Sequence, residues 1–165
     1  MAVTTDIVRT WRGPRAVMRD LLAMGRREDR AVAYLIVTCL LIVVAQWPRL
    51  ARQAAGFDLA PGAEGQSIEQ LMTYSLFAWL TLAPLLLYAL AAVSHLIAKA
   101  LGGRGSFYTA RLALFWSLLA SVPLLLLWGL MAGFLGPVAG THLVGSMWIL
   151  AFGVIWFQSL REAEA

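Results

Sequence analysis

The sequence predicts an all-α membrane protein, with four transmembrane helices preceded by an N-terminal amphipathic interfacial helix. Three observations carry that reading. Hydrophobic residues make up 61% of the 165-residue chain against 13% charged, and the mean hydropathy is +0.75, well outside the range of soluble domains. The apolar residues fall into runs long enough to cross a hydrocarbon core of about 30 Å, which takes about 20 helical residues each. Charged residues collect at the ends of those runs. The chain divides into an amphipathic segment (1–30), a membrane domain (31–160) and a short tail (161–165), with too few residues before the first run for a soluble catalytic module. The N-terminal segment is expected to stay on the mature protein, because its charged part is too long for a signal peptide and no small-x-small cleavage site follows.

The net charge is +4, and twelve of the thirteen basic residues are Arg, placed at helix ends where they set topology. That placement argues against a nucleic-acid partner. The single Cys39, inside the first apolar run, excludes an internal disulfide and a multi-cysteine metal site and reads as a small packing residue.

From Pro14, a favourable first helical residue, residues 14–26 wind so that Val17, Met18, Leu21, Leu22 and Met24 share one side and Arg12, Arg15, Arg19 and Arg26 the other. Such a helix either lies in the headgroup plane, guanidiniums among anionic lipids and Trp11 as interface anchor, or packs under the bundle as a positive-inside anchor. The first span is read over 31–47 and ended by Pro48. A flexible connection follows over 49–70, with Gly56, Pro61, Gly62 and Gly65.

The second run, 71–101, is about 46 Å long as a helix, so it tilts or kinks. Pro84 is the expected kink, with Ser75 and Thr81 offering compensating hydroxyls. After a Gly-rich bend, the third span covers 110–134, is interrupted by Pro123, and closes on the small-xxx-small pair Gly129 and Gly133. The fourth, 138–160, carries Gly145 and Gly153, so spans three and four are expected to pack closely through these glycines. Eleven basic residues flank the spans on the side of the termini and the central bend, against two in the 49–70 loop, which places both termini in the cytoplasm.

No ionisable residue lies near the centre of any span, which argues against a proton relay, an ion pathway or carboxylate catalysis, so neither an enzyme nor a cofactor is expected. His95 and His142 fall at opposite ends of their spans and cannot share a haem or metal. His95 reads as an interhelical hydrogen-bonding group, a pH-sensitive contact being the sharper alternative. The run Gly102-Gly103-Arg104-Gly105-Ser106 lacks the ending of a phosphate loop; it is a glycine turn, or, with Arg104, a cup for a lipid phosphate. Trp47, Trp79, Trp116, Trp128 and Trp156 read as interface belts. The candidate lipid or partner contacts are Trp11, Arg12, Arg15, Arg19, Arg26, Arg104 and Arg111.

Two stretches together resemble the Yip1 family of small multispan membrane proteins. One is Pro14-Arg15-Ala16-Val17 ahead of a charged stretch. The other is the long helix ending Leu101-Gly102-Gly103-Arg104-Gly105-Ser106-Phe107 and leading into Ala110-Arg111-Leu112-Ala113-Leu114-Phe115-Trp116, with a proline seven residues on. The resemblance covers about 11–160 and implies a multispan helical fold without a catalytic signature. In eukaryotic members it implies association with Rab-type GTPases and with one another in vesicle traffic. Here the long N-terminal region is missing and four spans stand in place of five, so GTPase binding is not carried over. The preference for Arg over Lys, with high Ala and Leu, fits a high-GC bacterial genome and hence an inner membrane. The expected function is that of a non-enzymatic Yip1-type protein organising the lipid bilayer, anionic lipids in particular, or membrane-protein partners as a homo- or hetero-oligomer. A small transporter or channel subunit with a proline-opened path, and an accessory subunit of a larger membrane complex, are the alternatives.

Overall fold

A computed structural model describes residues 3–58 and 65–165, and among these all regular structure is helical. Pro61 and Gly62 of the connecting loop lie outside the described residues. Two short helices, α1 (Val3–Arg12) and α2 (Pro14–Ala23), precede α3 (Glu28–Ala54). Then α4 (Ile68–Phe77) passes through a π-helical turn (Ala78–Leu82) into α5 (Ala83–Ala100), followed by α6 (Phe107–Phe134) and α7 (Ala139–Ala163). Four of these bodies are long and apolar enough to cross a membrane: α3, the continuous Ile68–Ala100, α6 and α7.

The helix at the centre is α6. In its most apolar stretch 61% of residues are buried, against 39% in α3, 11% in α7 and 6% in Ile68–Ala100, so α6 is the post on which the others lean. Its sequence is apolar on every side, as a helix enclosed by neighbours must be. The main core joins Leu112, Phe115 and Trp116 of α6 to Leu35 and Cys39 of α3, Ala91 of α5 and Met18 of α2.

Close approach on α6 depends on two glycines. A methyl group on Gly129 would overlap the backbone of Ala45, and one on Gly133 would overlap Pro48. Both glycines therefore seat α3, which corrects the expectation that they join the third span to the fourth. Gly145 does face α6, its open side filled by the Trp128 indole, whereas Gly153 meets nothing within 4 Å and is no packing residue inside this chain. A small-residue stripe shows that a close neighbour is allowed; it does not say which helix takes the place.

The prolines differ from one another. Pro48 does not end the first span: α3 continues to Ala54, with the ring packed on Gly133 near the helix end, where few backbone bonds are lost. Before Pro84 the helix widens, and the Ala83 amide bonds to the carbonyl of Ala78, five residues back. That wide turn makes room where the proline ring crowds the carbonyl four residues earlier. The Ser75 hydroxyl expected to compensate is buried and makes no hydrogen bond.

Gly129→Ala is expected to destabilise the bundle by about 1–3 kcal/mol, the cost of overpacking a closed contact. Gly153→Ala, facing open space, is expected to be neutral or to gain up to about 1 kcal/mol from helix propensity. Unfolding of the two variants in detergent, followed by circular dichroism, checks the pair; equal behaviour would contradict the packing described.

Candidate functional site

The first two helices form an elbow at Gly13. The Arg9 guanidinium bridges Asp6 (3.0 Å) and Asp20 (2.9 Å), tying α1 to α2 across the bend. The hydrogen bond to Asp20, and after it that to Asp6, shifts the Arg9 pKa upward and keeps the group charged. On α2, Val17, Met18 and Leu21 are buried in the main core, so the apolar stripe is covered by the bundle itself, while Leu22 is only half-buried and Met24 is exposed.

The elbow reaches deep along α6. The buried Thr10 hydroxyl donates to the Asp6 carbonyl (2.7 Å) and accepts from the Trp116 indole (3.1 Å). The Trp11 indole donates to the carbonyl of Ala120 (2.9 Å). Ala120 stands at the midpoint of α6, about 20 Å from either end at 1.5 Å per residue. It is also three residues before Pro123, whose missing amide leaves the neighbouring Leu119 carbonyl without its helix partner. A third indole, that of Trp148, donates in the same region to Ser121 (3.2 Å), whose hydroxyl donates to the Leu118 carbonyl (2.8 Å). Trp11 is thus tied to a helix midpoint and not to an interface, and Trp116, fully buried, belongs to no belt.

Between the elbow and α7 lies a cleft of about 660 Å³. Arg12, Arg15 and Arg19 line one side, Leu150 and Val154 of α7 the other, and none of its lining residues is acidic. Arg12 and Arg15 are exposed and make no ion pair among the described residues. The first turn of α2 opens here too: Gly13 supplies no side-chain cap for its amides. Ala151, on the opposite wall, is the midpoint of α7.

The spans themselves carry no charge at their middles, but a separate segment brings Arg12 and Arg15 into a cleft that also touches the midpoint of α7. On insertion scales an Arg at the centre of a bilayer costs about 2.5–3.5 kcal/mol, so guanidiniums lining a cleft beside the spans favour water or an anion as partner.

The other candidate contacts are divided. Arg19 is paired with Glu162 (2.9 Å), Arg26 with Glu28 (2.9 Å) and Arg111 with Glu28 (2.9 Å). The Arg104 side chain is exposed, while its amide donates to the Glu164 carbonyl (2.8 Å). Glu164 also explains the glycine bend. Its carboxylate lies 2.8 Å from Nδ1 of His95, both residues are buried, and a side chain on Gly103 or Gly105 would collide with it. The bend closes around an acid of the chain itself, and His95 of α5 bonds to the residue that caps α7. Sequence reasoning missed Glu164 because it belongs to no motif and follows the last apolar run.

Trp11→Phe removes the indole donor and its bond to the Ala120 carbonyl, at an expected cost of about 0.5–1.5 kcal/mol. Hydrogen exchange in nanodiscs should show faster exchange across α1 than in the wild type; unchanged protection would mean that the bond does not hold the elbow. No family model, no curated protein and no solved structure matches the chain.

Proposed function

We propose that this chain is a non-enzymatic inner-membrane protein of Yip1 type, with both termini in the cytoplasm, that organises the bilayer by gripping anionic phospholipid headgroups at the elbow. The observation that carries this reading is the cleft lined by Arg12, Arg15 and Arg19 without an acid. Guanidinium forks match phosphate oxygens in geometry and charge, and their fixed charge makes them suited to partly desolvated sites. The apolar wall of Leu150 and Val154 offers acyl chains a surface beside that headgroup. The distribution of basic residues supports the orientation, since α2 and the central bend then face the anionic cytoplasmic leaflet.

The π turn at Ala78–Leu82 is the feature that favours a transporter. Transporter sites use broken helices packed at the centre of the protein. Here the turn contains no buried residue, so the lipid reading is the better supported.

In nanodiscs of mixed phosphatidylglycerol and phosphatidylcholine, native mass spectrometry should find the former retained on the protein in preference. Arg12→Gln with Arg15→Gln is expected to reduce that retention about tenfold, equivalent to about 1.4 kcal/mol. Equal retention of the two lipids, or no effect of the double variant, would contradict the proposal.

A further inference from the structure

The floor of the elbow cleft lies level with the midpoints of α6 and α7, and charged groups mark a path to it. Arg19 is bridged to Glu162 near the end of α7, Arg15 lies one turn deeper on α2, and Arg12 stands at the elbow itself. Beyond the elbow the path continues on α7. Ser146 is one turn past Leu150, its hydroxyl donating to the His142 carbonyl (2.9 Å), and His142, one turn further, lines a second cavity with Arg49, Arg52 and Asp58; both are exposed. Polar groups therefore recur along α7 between the elbow cleft and the second cavity at the start of that helix. Beside them Leu143, Met147, Leu150 and Val154 are 63%, 49%, 69% and 55% exposed, an apolar surface along the same flank.

We propose that this flank carries the headgroup of an anionic phospholipid between the two leaflets, so that the protein exchanges such lipids across the bilayer without an energy source. The proposal rests on the elbow cleft as a headgroup site and extends it through the other half of the membrane. A phospholipid crosses an unassisted bilayer slowly because its phosphate must shed water and pass about 30 Å of hydrocarbon. Guanidiniums at half depth replace that lost hydration with charge-assisted hydrogen bonds. Ser146 and His142 then stand along the remaining half, while the acyl chains stay in the lipid phase beside the apolar residues of α7. The excess of Arg over acid in the cleft favours headgroups with a net negative charge. No bond is made or broken; lipid moves down its own gradient.

The test reconstitutes the full chain into vesicles containing phosphatidylglycerol with an NBD fluorophore on one acyl chain, then adds dithionite, which bleaches only outward-facing label. Wild-type protein should let dithionite bleach label from both leaflets while a trapped water-soluble dye stays inside. Ser146→Leu with His142→Leu should slow exchange about tenfold or more, equivalent to about 1.4 kcal/mol of barrier, yet retain phosphatidylglycerol as the wild type does. Arg12→Gln with Arg15→Gln should lose both retention and exchange. Gel filtration and circular dichroism confirm that each variant is folded. Retention of phosphatidylglycerol with bleaching of the outer leaflet alone would overturn the exchange activity and leave the headgroup site standing; loss of both in the wild type would overturn both. Exchange undiminished in either double variant, or accompanied by escape of the trapped dye, would also overturn the proposal.

Discussion

One side-chain bond, from the Trp11 indole to the Ala120 carbonyl at the middle of the central helix, fixes the N-terminal elbow against the bundle. Pro123 lacks the amide that would bond to the Leu119 carbonyl, and the Trp11 indole bonds one residue further on, at Ala120. With Trp11 fixed there, Thr10 meets Trp116, the arginines of the elbow are held at mid-level, and the stripe of α2 closes on the core.

The rest of the bundle is graded around α6. Its closest approach to α3 is at Gly129, which lies against the backbone of Ala45, where there is no side chain to rearrange. Its contact with α7 is made of larger groups: the aromatic rings of Trp148, Phe152 and Trp156 stack along α7, with centroids 6.3 Å and 5.6 Å apart. Ile68–Ala100 is the least covered of the four long bodies and is held at one end by the His95 to Glu164 bond. Rigid on one side and more loosely held on the other, the bundle keeps its elbow in place while its outer helix stays largely exposed.

The spans were legible in the sequence because hydropathy and length act within each segment, and so were the positions of Pro84 and Pro123. What could not be read there are relations between segments. Gly129 and Gly133 announce close packing, but the choice of α3 over α7 depends on where Ala45 and Pro48 arrive. Likewise, no window of any span contains Arg12 or Arg15; their depth follows from how α1 and α2 fold against α6 and α7. Trp116 looked like an interface residue because it stands near the start of its run, yet the segment that buries it lies 106 residues earlier. Glu164 was invisible for the same reason: its partner His95 is 69 residues away.

The distance along the chain between Trp11 and Ala120, 109 residues, also sets an order of events during synthesis. The elbow is made before the carbonyl it binds, which lies within the third long apolar helix to follow it. Its arginines therefore never have to be inserted as part of a span. The bond that seats the elbow closes only once the middle of α6 has been made, so the elbow settles later than its place in the chain suggests.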